Sequence, residues 1–233
     1  MKQLVTIIIP CKNEIDYLPK LLKSLSAQKF IGDTKIIIAD AGSVDGTIEA
    51  ITSFSNLLNI EIIKGGLPAV ARNNGAKKST TPFLLFIDSD VTFKDEYVVA
   101  TSVAIIKKFN LDILTIKNAC ESKKVNLLYK INNLIVKLSK YDKPFVTGMF
   151  MLVRTDKFNE FGGFDEKAKH CEDYLLSKKF NPLKFSIINK EAWTDDRRFK
   201  KIGYLSMVKY MIKNFLNRSD DSYFYKDVNY WNK

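Results

Sequence analysis

The stretch Pro82-Phe83-Leu84-Leu85-Phe86-Ile87-Asp88-Ser89-Asp90 decides the fold. Its five apolar residues are too few for a typical helix. They are bounded by Thr80-Thr81-Pro82 and by two aspartates, so they read as a buried strand. Alternation along a strand points Asp88 and Asp90 to one side as the chain leaves the sheet. Like-charged carboxylates held that close call for a cation. Hard oxygen ligands suit Mg²⁺ or Mn²⁺, ions that keep positions open for water and substrate phosphates. One reading is a metal–diphosphate clasp at the carboxyl edge of an α/β sheet. The other is a solvated loop that ends a strand, and Asp-Ser-Asp alone does not separate them.

Upstream, residues 5–9 form a β-branched run without alternation, as in a strand buried on both faces and ended by Pro10. Leu18, Leu21, Leu22 and Leu25 recur at helical spacing. Residues 35–39 read as a second buried strand leading into Asp40-Ala41-Gly42-Ser43-Val44-Asp45-Gly46-Thr47, with Ser43 or Asp45 placed to cap the next helix. A short strand at 60–63, a Gly65-Gly66 loop and a helix over 69–77 carrying Arg72 complete the run to Pro82. This rhythm predicts a mostly parallel sheet flanked by helices. The first strand is followed by neither Gly-x-Gly-x-x-Gly nor Gly-Lys-Ser/Thr, so a Rossmann dinucleotide site and a P-loop are unsupported.

Downstream, the pattern predicts a helix over 96–109, a strand over 112–116 and a strand pair or extended run over 145–154. It also predicts a helix over 123–140 with apolar positions Leu127, Leu128, Ile131, Leu134, Ile135 and Leu138, whose Lys and Asn residues form a solvated face. A turn at Phe161-Gly162-Gly163-Phe164-Asp165-Glu166 precedes a helix beginning near His170-Cys171-Glu172-Asp173. In the tail, Tyr204, Leu205, Val208, Met211, Ile212, Phe215 and Leu216 share a helical face flanked by Lys209 and Lys213. That face either packs on the sheet domain or lies on an anionic membrane, which would suit a lipid-linked acceptor. Tyr223, Phe224, Tyr225, Tyr230 and Trp231 fit docking or an interface equally.

With 233 residues, 46% hydrophobic and 27% charged, the chain has the composition of an ordinary globular protein. No stretch approaches the ~20 apolar residues of a membrane span. Residues 1–10 read as a first strand rather than a signal peptide. Cys11, Cys120 and Cys171 are odd in number and unpaired in spacing, which argues for a reducing, cytoplasmic compartment and against zinc. His170, the single histidine, reads as a loop residue and cannot build a metal site or a Ser-His-Asp triad alone. The net charge of +11 favours polyanions, but no nucleic-acid module accompanies it.

Several stretches then arrive in the order used by one family. They are Thr6-Ile7-Ile8-Ile9-Pro10-Cys11-Lys12-Asn13-Glu14, Asp40 to Thr47, Ala71-Arg72-Asn73, Asp88-Ser89-Asp90, Gly162 to Glu166 and Glu172-Asp173. In these the chain resembles the family 2 glycosyltransferases, which have the nucleotide-sugar-binding GT-A fold. The resemblance implies a domain over 1–200, with a nucleotide-binding half at 1–95 and an acceptor and catalytic half at 96–200. A C-terminal amphipathic helical extension follows at 201–233. It implies that Pro10, Lys12, Glu14 and Asp40 hold the nucleotide, and that Arg72 meets a phosphate. Asp88 and Asp90, with Ser89 between them, bind a divalent cation (Mg²⁺ or Mn²⁺) and the donor diphosphate. Asp173 serves as general base supported by Glu172, and Arg197 or Arg198 reaches the diphosphate or a phosphorylated acceptor. The implied partners are a UDP- or GDP-sugar and a glycan or lipid-linked acceptor, in cell-surface glycan or glycolipid synthesis. They would meet at the cytoplasmic face of a membrane that the chain contacts peripherally, without specific nucleic acid.

Two features depart from the family pattern. Ala41 stands where many relatives carry a second acid, and Asp195-Asp196-Arg197-Arg198-Phe199 only echoes the Gln-x-x-Arg-Trp of processive members. One sugar per encounter is therefore expected, and the base role that the resemblance implies for Asp173 further implies direct displacement with inversion. Two other functions compete. A sugar-phosphate nucleotidyltransferase would need a glycine-rich basic loop where Pro10-Cys11-Lys12-Asn13-Glu14 stands. A non-catalytic polyanion-binding protein would rest on net charge alone.

Overall fold

The structure is a computed structural model, and residues 3–227 are described. Tyr230 and Trp231 lie outside the described residues.

The strands are β1 (Val5–Cys11), β2 (Lys35–Asp40), β3 (Asn59–Lys64) and β4 (Phe83–Phe86), followed by β5 (Ile113–Cys120), β6 (Met151–Arg154) and β7 (Phe185–Thr194). The continuous apolar runs of β1, β2 and β4 are buried on both faces, whereas the edge strands β3 and β7 are partly exposed. They form one seven-stranded sheet in the order β3-β2-β1-β4-β6-β5-β7. Strands β1 to β4 pair in parallel, β6 runs antiparallel to β4 and β5, and β7 is parallel to β5. The helices are α1 (Leu18–Ser26), α2 (Thr47–Thr52), α3 (Pro68–Lys77), α4 (Val98–Lys108) and α5 (Lys123–Leu138). After these come α6 (Thr155–Glu160), α7 (Glu172–Ser177), α8 (Arg197–Ile202), α9 (Tyr204–Leu216) and α10 (Asp221–Phe224).

Period-2 geometry divides each strand between two cores. Ile7, Ile9, Ile36, Ile38 and Leu85 pack with the α1 leucines and with Ile51, Val98 and Ile106. On the other face Ile8, Ile37, Leu84 and Phe86 meet Ala69 and Ala76 of α3 and Phe158 of α6. Each such side chain contributes about 1.5–3 kcal/mol on burial, so a three-layer α/β/α architecture follows from the apolar pattern.

The chain departs from β1 to β2 on one side and returns to β4 on the other. The loops after β1 and β4 therefore flank a topological switch point, where open α/β sheets leave a crevice.

Several expectations need correction. Strand β1 continues through Pro10 to Cys11, pairing Pro10 with Ala39. The ring costs no ladder bond, because a Pro10 N–H would point to the β4 side, where pairing has ended at Ile8 with Phe86. Neither Ser43 nor Asp45 occupies the cap of α2. Gly46 does, at φ 90°, and Asp45 instead accepts from the amides of Thr47 and Ile15. Residues 145–154 give one strand rather than a pair, and β7 is an edge strand that the pattern did not announce.

In helix α5 the lysines are exposed as expected, but the asparagines turn inward. Asn132 is buried, and Asn133 exchanges two hydrogen bonds with the Asn118 backbone at 2.9 Å each. Leu127, Ile131, Leu134 and Leu138 face outward. In α9 the buried residue is Met207, outside the expected stripe, with Tyr210 and Met211 beside it, while Leu205, Ile212, Phe215 and Leu216 are exposed. His170 is fully buried rather than in an exposed loop. Tyr210, Tyr223 and Phe224 enclose it, and burial pushes its pKa down.

Candidate active site

The loop after β1 takes its shape from the loop after β2. Asn13, at φ 54°, donates its N–H to Ser43 Oγ at 2.8 Å and accepts from the Val44 amide at 2.9 Å. The Glu14 amide donates to Thr47 Oγ1 at 2.9 Å. Lys12 stays exposed and Pro10 partly so at the strand end. Asp40 accepts from the Gly42 and Ser43 amides at 3.0 Å each and from Ser43 Oγ at 2.5 Å. Partial burial works against its charge, but these hydrogen bonds outweigh it and hold the carboxyl below the ordinary carboxylate range. Asp40 lines a cleft with Gly42, Ile62, Lys64 and Gly65. A side chain at Gly65 would come within 2.5 Å of the Ala39 carbonyl oxygen, so only glycine permits that approach.

After β4, Asp88 and Asp90 are partly exposed and Ser89, between them, is buried. The aspartates thus share an outward side and Ser89 faces inward. Each carboxylate meets an arginine. Arg72 Nη2 donates to Asp88 Oδ1 at 2.6 Å, and Arg197 Nη2 donates to Asp90 Oδ2 at 3.2 Å and to Glu14 Oε1 at 2.8 Å. The Arg197 guanidinium also lies 3.8 Å from the centre of the Tyr17 ring. Burial pushes the Glu14 carboxyl up while Arg197 pulls it down, and Glu14 Oε2 is buried with no hydrogen-bond partner among the described residues.

Arg72 is 2% exposed. Its Nη1 donates to Glu172 Oε1 at 2.5 Å, and its guanidinium lies 5.3 Å from the Phe164 ring centre. Burial disfavours its charge, but Asp88 and Glu172 more than offset this and hold its pKa up. With both terminal nitrogens engaged, Arg72 sits beneath the site and ties Asp88 to Glu172.

Glu172 and Asp173 open α7, after Cys171 at φ 55°. Asp173 accepts from the Gly148 amide and from its neighbour Tyr174, both at 2.7 Å. Burial first, and the Glu172 charge second, push its carboxyl up to about 7 against the opposing pull of Arg72. Gly148 is the junction of the site, since a Cβ there would lie 2.5 Å from Arg72 Nη2 and 3.1 Å from Asp88 Oδ1. Asp88 after β4 and the raised carboxyl of α7 therefore face one short piece of backbone.

A cavity lined by Asp88, Asp90 and Arg197 extends toward Tyr129 of α5 and Met207 and Met211 of α9. The sequence did not mark Tyr129, Thr194 or Met207 for this place. Tyr129 and Thr194 hydroxyls stand 3.2 Å apart, and burial pushes the Tyr129 phenol up to about 12. One aromatic among lysines and leucines carries no separate signal.

For a cation, Asp88 and Asp90 supply hard oxygens at one strand end. No group of three or more His, Cys, Asp or Glu gathers anywhere among the described residues. Two carboxylates fit Mg²⁺ or Mn²⁺ when diphosphate and water oxygens complete the shell.

Residues 6–162 match the family model described as glycosyl transferase family 2. The poly(ribitol-phosphate) beta-N-acetylglucosaminyltransferase TarS of Staphylococcus aureus strain MW2 is 27% identical over 203 residues, 81% of this chain but 34% of the relative. The chain thus spans about a third of that protein's length. Among solved structures, S. aureus TarS 1–349 in complex with UDP-GlcNAc matches at a TM-score of 0.68 and 23% identity, over 83% of this chain and 58% of that one. The mannosyltransferase PcManGT from Pyrobaculum calidifontis, in complex with GDP-Man and Mn²⁺, matches at 0.66 and 16% identity, over 83% and 57%. These structural matches share the α/β fold of this sheet. The family match runs from β1 past α6, well over half of the chain, and the chain belongs to glycosyl transferase family 2.

Proposed function

We propose that the chain is a glycosyltransferase that moves one sugar from a nucleotide-sugar donor to an acceptor hydroxyl with inversion. The observation that carries this reading is the buried Arg72, which ties Asp88 to Glu172 and so holds the metal-type carboxylates and the raised Asp173 carboxyl in one frame. Family membership supports the reaction class. The complexes of TarS with UDP-GlcNAc and of PcManGT with GDP-Man support a UDP- or GDP-sugar as donor.

In this reading the base and ribose lie along Lys12, Glu14 and Asp40, at the ends of β1 and β2. The diphosphate lies between Asp90 and Arg197. Asp88 and Asp90 would hold a divalent ion, which when bound neutralises the leaving diphosphate. Arg197 adds a second positive charge there from the protein itself. Asp173 takes the proton of the acceptor hydroxyl as that oxygen attacks the anomeric carbon. A carboxyl held near neutrality suits this task, because it exists as the base at working pH and still has appetite for a proton. Displacement by the acceptor itself, without a covalent enzyme intermediate, inverts the anomeric centre.

The test is turnover of UDP- and GDP-sugars by the full chain, with the product's anomeric configuration read by NMR. Wild-type transfer with inversion, absent in Asp173→Asn and in Asp90→Ala, supports the proposal. Retained configuration, or full activity in Asp173→Asn, contradicts it.

A further inference from the structure

The outward faces of α5 and α9 carry side chains opposite to those of an ordinary surface helix. Helix α5 buries Asn132 and ties Asn126 and Asn133 to the backbone of β5, while Leu127, Leu134 and Leu138 point away from the protein. Leu127, Ile131, Leu134 and Leu138, spaced as one stripe, and Leu205, Ile212 and Leu216 of α9 are 52–73% exposed. The two helices are neighbours, joined on their inner sides by Val125, Leu128, Met207 and Met211.

Charge completes the pattern. Exposed basic residues stand along α5 at Lys123, Lys124, Lys130, Lys137 and just past its end at Lys140. From α8 through α9 they continue at Lys200, Lys201, Lys209, Lys213 and Arg218. Residues 123–140 and 200–218 contain no Asp or Glu; acids return only at Glu121, Asp142, Asp196 and Asp220. These two segments thus carry ten basic residues, nearly the whole of the +11 excess of the chain.

We infer that this face docks on an anionic lipid bilayer, with the leucine stripes in the headgroup boundary and the lysines on lipid phosphates. Pairing with a second copy is disfavoured by the same charges, because an isologous contact would set lysine rows against lysine rows. The surface also backs onto the site. Tyr129 and Met207, from the inner sides of the same two helices, line the cavity that reaches Asp88 and Asp90. Resting on the transferase reading, the acceptor is then a hydroxyl on a lipid-linked molecule presented at that bilayer.

The test is flotation of the full chain with vesicles of phosphatidylcholine alone or mixed with phosphatidylglycerol, without donor. Neither the site nor its metal is needed for this readout, so its failure is separable from failure of the transferase reading. The wild type should float with the anionic vesicles and be largely released by salt. Leu127→Gln/Leu134→Gln/Leu216→Gln and, separately, Lys130→Glu/Lys137→Glu/Lys209→Glu should each weaken binding about tenfold or more, with unchanged circular dichroism. Absence of flotation, equal flotation with neutral vesicles, or unaltered binding by both variants overturns the inference. So does a vesicle-free dimer by sedimentation equilibrium that the leucine variant dissociates, which would give the face to a second copy.

Discussion

Arg72 Nη1 and Glu172 Oε1, a hundred residues apart in the chain, meet at 2.5 Å inside the protein. The same guanidinium holds Asp88 with its other terminal nitrogen. One buried cation therefore fixes the distance between the end of β4 and the start of α7. Arg72→Ala leaves two carboxylates facing each other without a counter-charge, at a cost of about 3–5 kcal/mol. Arg72→Lys, a single point charge, cannot bridge both and should also lose activity. Urea denaturation alongside turnover checks both variants.

Gly148 tests the same frame from the backbone. In Gly148→Ala the new methyl would press on Arg72 Nη2 and Asp88 Oδ1, so a loss of about 1–3 kcal/mol and a marked fall in activity are expected. Alanine at the exposed Gly162 meets no neighbouring atom and serves as the comparison for strain at positive φ alone.

Asp173 sets the pH dependence. The base must be ionised, so kcat/KM should fall as pH drops through about 7. The stability effect has the opposite sense. With its folded pKa raised above an ordinary carboxylate, Asp173 favours the fold below about pH 4, and that contribution is lost as pH rises through about 7. Asp173→Asn should therefore lose about 10²–10⁴ in rate and gain stability relative to wild type above pH 7. Turnover and denaturation midpoints on either side of neutrality separate the two effects.

Arg197 is a third exposed and bridges Glu14 and Asp90. Its partners are only 15% and 13% exposed, so its removal leaves two largely buried carboxylates unpaired and should cost about 1–3 kcal/mol. Donor KM should rise about tenfold or more, as one charge-assisted hydrogen bond is worth about 1.5–3 kcal/mol. Steady-state kinetics of Arg197→Ala with the nucleotide-sugar checks this; an unchanged KM would leave Arg197 as a surface contact of Tyr17 and Glu14.

The sheet was legible because β1, β2 and β4 are apolar without alternation, which only a doubly covered strand tolerates. The aspartates after β4 were legible because a buried strand ending in charge must reach solvent there. Strand β7 was not, since an edge strand with Asn189, Lys190 and Glu191 in its middle lacks that run. The Arg72–Glu172 pair was hidden for another reason. Both residues stand in recognisable motifs, but nothing local says that an arginine on α3 turns inward to meet α7. Helical spacing found the apolar stripes of α5 and α9, yet period alone does not say which side faces the core. The asparagines that bind β5 occupy the inner side, and Leu127, Ile131, Leu134 and Leu138 were left outside.

The central claim is that Asp88 and Asp90 hold the donor diphosphate through a divalent ion. A thermal-shift series of UDP- and GDP-sugars with Mn²⁺, Mg²⁺ or EDTA tests it most directly. At ~100 times its dissociation constant, the true donor should stabilise the fold by about 2.7 kcal/mol. The account predicts a shift with one nucleotide class that requires the metal and vanishes in Asp90→Ala. A shift that persists in EDTA or in Asp90→Ala, or no shift with any donor, would contradict it.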